Sequence, residues 1–478
     1  MRGVVLASAE VASEAGGHAV SGGVTVLFAV LLLAMIVALA LEEKIHAKKS
    51  LIVGAFAGVC LILATALDLM PLGHVDLPNG HKIEMPVYIP AIDWGVITII
   101  LGASLFVEVT SRSGVFTWMA ISLTKKSGGD PWKLLLAYGI LTVLFSAMLN
   151  NVTAMIIIGS LTGVSLSKLK RTDLLLGFLV VEGLLTNVGG LLTLISSVPN
   201  IIVGNVAKIG FVDFFLVSAP YVVVVTAVTL WMGRKRFGIQ GLPNDEQRAA
   251  AAGLVEGFDE NESVTSAKFF WFSIASLVLF VVFLAGQSEI PVLRDLGMGF
   301  VALSFAGIVL LAYKHEVDKF YKVVDWDLLA FFAALFVVIN TMEHAQVLAV
   351  IGTGIEKLIG TGVYMGTGLL LVASALASSV TDNIPLAAML AKILKSHDPA
   401  YAATAPYWWS VIFGANLGGN ITPIGSASTV VAMTIIHKYE LPLSFVGFVK
   451  VAVPFAAVQI VIAVIYVVGL TWAGVLSG

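Results

Sequence analysis

Of the 478 residues, 58% are hydrophobic and only 12% charged, with a formal net charge of -3. Soluble domains carry roughly 25% charged residues, so this composition cannot build a water-facing surface, and lipid must be the solvent. Lys and Arg sit in short loops between apolar spans and suggest no nucleic-acid partner, and the single cysteine, Cys60, lies inside an apolar run and can form no intrachain disulfide.

Residues 1–23 are rich in Ala, Gly, Ser and Val with Arg2 as the only basic residue, and read as an extramembrane tail. Apolar stretches at 24–41, 51–67 and 95–112 follow, each near the roughly 17 to 25 residues that cross a hydrocarbon core. The loop between the second and third carries His74, Asp76, His81 and Glu84 at spacings too loose for a metal site. An apolar pair at 134–149 and 152–164 comes next, then a long run at 174–206 and a span at 212–232. The polar segment 233–267 is the cytoplasmic joint between two halves, 24–232 and 268–473. The second half contains 269–286, 297–313, 327–342, a pair at 366–381 and 383–394, a run at 407–436 and a span at 446–473.

Lys and Arg decide sidedness. The clusters at Lys44 to Lys49, Lys125 to Lys133, Lys168 to Arg171, Arg234 to Arg236 and Lys314 to Lys322 share one side only if the pair at 134–164 enters and leaves on the same face. Treating 366–394 alike predicts an all-α polytopic membrane protein of ten full spans and two re-entrant hairpins, with both termini outside. Lys392 and Lys395 then face outward, against the trend.

An internal repeat organises these spans. Asp93-Trp94 recurs as Asp325-Trp326, Ser146 as Ser378 and Asn151 as Asn383, all at an offset of 232 residues. At an offset of 229, Asn187, Gly189, Gly190, Thr193, Ile195 and Ser197 recur as Asn416, Gly418, Gly419, Thr422, Ile424 and Ser426. Small residues recur in any membrane bundle, but not as Asn-x-Gly-Gly-x-x-Thr-x-Ile-x-Ser twice. Five spans per half is an odd number, so the second copy is upside down, the inverted-repeat plan of secondary transporters with a midplane site between broken helices.

The polar residues inside these apolar runs are the candidate site. Asn150-Asn151 and Asp382-Asn383 are expensive in hydrocarbon unless they line a break or a hairpin tip. Pro385 removes a donor and favours such a break. Asn187, Gly189, Thr193 and Ser197 in one run, and Asn416, Gly418, Asn420, Thr422 and Ser426 in the other, combine glycine freedom with amide and hydroxyl oxygens. These are hard donors suited to sodium, whereas half-helix N-termini suit an anion. Asp382 can bind a cation or accept a proton, and Glu182 is the second candidate proton carrier, with a hydrogen bond to a neighbouring helix as its structural alternative. Glu108, Glu343 and His344 lie near span ends and read as interfacial.

At Ser146 to Thr153, Ser378 to Pro385 and Asn416 to Ser428 the sequence resembles the ion transporter superfamily with its citrate-transporter-like domain. It is similar in particular to the branch of arsenite permeases, pink-eyed-dilution proteins and NhaD-type sodium/proton antiporters. The resemblance implies two inverted repeats, each with a hairpin and an unwound helix, in a scaffold and transport arrangement that is commonly dimeric. It implies that Asn151, Thr153, Asn187 and Ser197 line one half of a site and Asp382, Asn383, Asn416, Thr422 and Ser426 the other; among the oxygen donors, Asn151 and Asn383 are the candidate sodium ligands. One departure stands at Asn150, where many antiporter-like relatives carry aspartate. The expected protein is a multi-pass transporter of a bacterial inner membrane that exchanges sodium for protons, with no cofactor beyond its coupling ion. The alternatives are efflux of arsenite, silicic acid or a similar oxyacid, and sodium-coupled carboxylate transport, which Asp382 disfavours by like-charge repulsion. No nucleophile and base pair or metal-spaced histidines suggest an enzyme.

Overall fold

The computed structural model describes residues 20–70, 74–76, 82–86, 88–314, 317–322 and 324–477. Most of the predicted tail and His81 lie outside them. The described chain is helical apart from one short antiparallel ladder, β1 (His74–Asp76) with β2 (Lys82–Glu84). No cluster of three metal-ligating side chains occurs among the described residues.

The first half runs through α1 (Gly22–Ala40), α2 (Glu42–Ile45), α3 (Lys49–Ala66), α4 (Tyr88–Ala91), α5 (Trp94–Ser111) and α6 (Val115–Ser127). Then come α7 (Pro131–Met148), α8 (Asn151–Lys168), α9 (Leu175–Gly189), α10 (Val198–Ala207) and α11 (Phe211–Arg236). The linker holds α12 (Asp245–Glu256). The second half runs through α13 (Ala267–Ala285), α14 (Pro291–Ala312), α15 (Val317–Tyr321), α16 (Trp326–His344) and α17 (Val347–Ile359). It closes with α18 (Val363–Ser378), α19 (Asn383–His397), α20 (Pro406–Gly418), α21 (Ala427–Lys438) and α22 (Phe445–Trp472).

The repeat reappears as structure. Trp94 and Trp326, Val115 and Val347, Pro131 and Val363, and Asn151 and Asn383 open helices 232 positions apart. The helices α11 and α22 each carry one internal proline, Pro220 and Pro454. Local chemistry sets the ends. Asp130 caps α7 by accepting from the Lys133 amide at 3.0 Å, with Pro131 at the first helical position, where its missing N–H is not needed. Ser426 and Ser444 cap α21 and α22 in the same way.

Ten helices are long and apolar enough to cross a membrane among the described residues. They are not quite the expected ten. The run 407–436 is divided into helices of 13 and 12 residues, and Pro131–Met148, a predicted hairpin leg, reaches spanning length instead. Two 13-residue helices, α6 and α17, were not predicted, because each is too short for the span criterion that found the others.

Two compact units divide the chain, one comprising the residues up to Trp94 with Trp326–Gly354, the other Gly95–Asp325 with Ile355–Gly478. In the first, α1, α3 and α16 pack together around the buried Cys60, and the Ser50 hydroxyl donates to the Asp327 carboxylate. The second holds both hairpins and both interrupted helices. There the packing is reciprocal: α8 lies against α21 and α10 against α19, while α7 packs on α9 and α18 on α20. Exposed Val223, Val224, Trp231, Val278, Val282, Val461 and Ile465 on α11, α13 and α22 form an apolar exterior fit for lipid.

Candidate functional site

Each long polar-interrupted run is a helix that stops and restarts. Helix α9 ends at Gly189 and α10 begins at Val198; α20 ends at Gly418 and α21 begins at Ala427. The stops are made by close approach. A Cβ on Gly189 would come within 2.8 Å of the Val143 backbone, and one on Gly418 would run into the Ala375 carbonyl. Only glycine lets α9 and α20 end this tightly against α7 and α18. The turns after them are pinned by matching bonds: Thr193 Oγ1 donates to the Ala147 carbonyl and Thr422 Oγ1 to the Ser379 carbonyl, both at 2.6 Å. Ser146 and Ser378 likewise donate to the carbonyls of Thr186 and Ala415, both at 2.6 Å.

Across the middle, the two interrupted helices clasp each other through fully buried amides. Asn187 Nδ2 donates to Ser426 Oγ at 2.9 Å, and Ser197 Oγ donates to Asn416 Oδ1 at 2.7 Å. Since Asn187 corresponds to Asn416 and Ser197 to Ser426, the same residue pair meets twice, with the donor reversed, the signature of a two-fold relation. Together with the helix starts that recur 232 positions apart, this makes the fold a pair of inverted repeats. Asn187 Nδ2 also donates to Asn420 Oδ1 at 2.8 Å and its Oδ1 accepts from Ser428 Oγ at 3.2 Å, while Asn416 Nδ2 donates to Asn200 Oδ1 at 2.8 Å. Asn420 Nδ2 in turn donates to Gln459 Oε1 at 2.8 Å. With its partners made, such a network fixes one arrangement of the helices.

Asn200 and Gln459 were missed by the sequence reading. Both are amides stranded in apolar helices, the same signal that exposed Asn150 and Asn151.

The hairpin tips flank this clasp. Asn150 caps α8, accepting from the Thr153 amide at 2.7 Å, and is exposed. Asn151 is half-buried, accepts from Ser146 Oγ at 2.6 Å and reaches Asn187 Oδ1 only at a long 3.5 Å. Asp382 caps α19, accepting from the Ile384 amide at 3.1 Å, and is half-buried; Asn383 behind it is buried. The clasp therefore brings together Asn187, Ser197, Asn416, Asn420 and Ser426, with Asn151 at its edge. Asn150, Thr153, Asp382 and Asn383 stand at the tips, and Thr193 and Thr422 anchor the turns to the hairpins.

Glu182 is elsewhere. It is fully buried in α9, with Oε1 accepting from Thr162 Oγ1 of α8 at 2.6 Å and Oε2 without a partner. Of the span-end residues, Glu108 pairs with Arg112 at 3.0 Å and His344 bonds the Asn340 carbonyl. A crevice of about 340 Å³ opens beside the first tip, but its lining of Leu144, Met148, Leu192, Phe215 and Phe280 is apolar, with Thr193 its single polar residue.

A family model described as Citrate transporter, CitMHS, matches residues 34–414. The chain belongs to this family. It is 32% identical to a 46 kDa membrane protein of Mycobacterium leprae over 78% of this chain and 86% of that one. It is 26% identical to an uncharacterized transporter of Synechocystis, over 90% and 94% of the two chains. Against the P protein of Homo sapiens the identity is 25% over 92% of this chain, which spans 59% of that longer protein. The Alcanivorax borkumensis YdaH transporter, described as having an unusual topology, superposes with a TM-score of 0.60 over 90% of this chain and 99% of that one; at 14% identity the likeness is one of fold. As a member of the CitMHS family, the protein is a multi-pass membrane transporter, and the resemblance drawn from the hairpin-tip and Asn-Gly-Gly motifs holds.

Proposed function

We propose that the chain is an ion-coupled secondary transporter that works by alternating access and exchanges sodium for protons. The observation that carries this reading is the charge at Asp382. Asparagine and aspartate cap helices equally well, and the first tip uses the neutral Asn150 for the same task. Capping therefore does not call for a carboxylate at the second tip. A carboxylate beside the buried Asn383 amide, at the mouth of a two-fold clasp, is a hard-oxygen site for a small cation or a proton. Asn151 and Asn383 are the amide ligands we assign to sodium. The buried pairs of Asn187, Asn416 and Asn420 hold the two halves in register in this conformation, and re-pairing of that clasp is the step that exchanges access. The protein is assigned to a bacterial plasma membrane, as a homodimer.

In everted vesicles, sodium addition is expected to dequench a pH dye, and Asp382→Asn to abolish the response. A second reading, proton-coupled efflux of a small neutral oxyacid such as arsenite or silicic acid, is favoured by the exposed, uncharged first tip, where Asn150 can hydrogen-bond a hydroxylated solute. Resistance conferred on a sensitive host without any sodium response in vesicles would select it. Citrate, the substrate in the family's description, would meet like charge at Asp382; citrate uptake competing with sodium would put a carboxylate in place of both readings.

A further inference from the structure

A second buried polar feature lies in the first half only, apart from the clasp. Glu182 sits fully buried with one oxygen bonded to Thr162 and the other unpartnered. A carboxyl kept for structure uses both oxygens, and an orphaned buried acceptor is costly. Packing does not require the group either, since the equivalent position in the other half is Val411.

Three residues along the same face of α8, one turn from Thr162, is Ser165. Its Oγ lies 2.7 Å from the Tyr138 hydroxyl, which lies 2.6 Å from Thr124 Oγ1 on α6. Thr162, Ser165, Tyr138 and Thr124 are all buried. Thr124 is one turn from Gly128, half-buried at the end of α6, where Lys125 pairs with Glu260 of the linker at 2.6 Å. Two bonded groups, Glu182 with Thr162 and Ser165 with Tyr138 and Thr124, one helical turn apart along α8, thus lead from an interior carboxyl toward one end of the bundle. The second half has no such file: Thr124, Tyr138, Thr162 and Ser165 correspond to Glu356, Leu370, Leu394 and His397, and Glu356 pairs with His397 directly at 3.4 Å.

We propose that Glu182 carries a proton and exchanges it with the face of the membrane at the α6–α7 turn through Thr162, Ser165, Tyr138 and Thr124. This rests on the proton-coupled reading and adds its route. Within each bonded group a hydroxyl takes a proton on a lone pair and passes its own onward, and the one-turn step from Thr162 to Ser165 is crossed through a bridging water, which accepts one proton and releases another, so the file resets without any redox change; its confinement to one half opens Glu182 to one side only. Among ionisable groups on the elements packed against α9, Tyr138 is the one that interacts with Glu182, and the Tyr439 hydroxyl, just past the end of α21, lies against Gly163 beside Thr162. Lys133 on α7, Lys168 on α8, the Arg234 to Arg236 run on α11, Tyr407 on α20 and His437 and Lys438 on α21 stand in terminal turns, Asp173 lies in the short turn Thr172–Leu174 before α9, and Asp213 and Tyr221 lie in the opposite part of α11.

The test uses the full chain in proteoliposomes, with sodium-driven proton flux read by a pH dye and sodium self-exchange read by isotope. Tyr138→Phe and Ser165→Ala are expected to slow proton flux by about tenfold or more while self-exchange stays within about twofold. Glu182→Gln is expected to remove proton flux and spare self-exchange. Thr110→Val, which deletes a buried hydroxyl bonded only within its own helix, serves as the control and keeps both. Proton flux at the control rate in Tyr138→Phe and Ser165→Ala overturns the proposal, as does a matched loss of flux and self-exchange. Absence of sodium-driven flux in the unmodified protein sinks the antiport reading instead. In that event infrared spectroscopy decides the route alone: a carboxylic band lost in Glu182→Gln must appear more slowly after a pH jump in Tyr138→Phe, and an unchanged rate overturns the relay.

Discussion

The two hairpin tips do the same mechanical work with different charge. Each turns a helix pair around and caps the returning helix, through Asn150 in one half and Asp382 in the other, and each leans on a serine that bonds the carbonyl of the neighbouring interrupted helix. Where geometry is copied and chemistry is not, the chemistry answers to something other than folding. The same comparison applies one layer out, where Glu182 and its hydroxyls face Val411, Leu370 and Leu394 at equivalent positions.

The largest expected effect makes the tips alike. Asp382→Asn should lower sodium-driven proton flux by about a hundredfold or more, the scale of removing an essential acid–base group, while asparagine keeps the helix cap. Restoration of flux by Asn150→Asp in that background would break the comparison, by making the tips interchangeable.

Next comes the clasp. Asn416→Leu leaves Ser197 Oγ and Asn200 Oδ1 without partners in a buried site, and should destabilise the detergent-solubilised protein by about 2 to 4 kcal/mol, one to two orphaned groups. Asn151→Ala, half-buried with one long bond, should cost about 1 kcal/mol. Equal losses in thermal unfolding would mean that tip and clasp are one unit.

The glycine stops should separate by less. A Cβ at Gly418 would meet the Ala375 carbonyl oxygen more closely than the 2.8 Å at which one at Gly189 would meet the Val143 carbonyl. Both alanine variants should be destabilised by about 1 to 3 kcal/mol, the usual range for overpacking, with Gly418→Ala the worse; the reverse order would show that α18 yields more easily than α7.

The smallest effect lies at the surface. The Lys125 ammonium holds the Glu260 carboxyl below its ordinary value through their hydrogen bond. A depressed folded value stabilises above the unfolded one and fades as pH falls through the folded value. Glu260→Gln should therefore flatten the acid limb of the melting-temperature profile slightly and leave it unchanged at neutral pH and high salt, as expected for an exposed pair.

Much of this was legible in the residues. Hydrophobic stretches gave most of the spans to within a few positions, because a lipid solvent forces every crossing segment to satisfy its own backbone. The repeat was legible because Asn-Gly-Gly and Ser-x-x-x-x-Asn carry geometry as well as polarity. Helices α6 and α17 were not, being too short to stand out from flanking loops. Nor was the division of labour among the polar residues. Asn187 and Asn416 are as polar as Asn151 and Asn383, and only contact distinguishes an amide spent on another amide from one left at a tip.

Composition, hydrophobic length and internal repetition determined that this is an inverted-repeat membrane protein with breaks at Asn150, Asn187, Asp382 and Asn416, since those properties act along the chain. Tertiary structure alone decided that Asn187 bonds Ser426 while Asn416 bonds Ser197, and that Glu182 turns away from them toward Thr162. Those pairings join residues as far as 239 positions apart, and which of several equivalent donors meets which acceptor is fixed by helix packing, which no local pattern records.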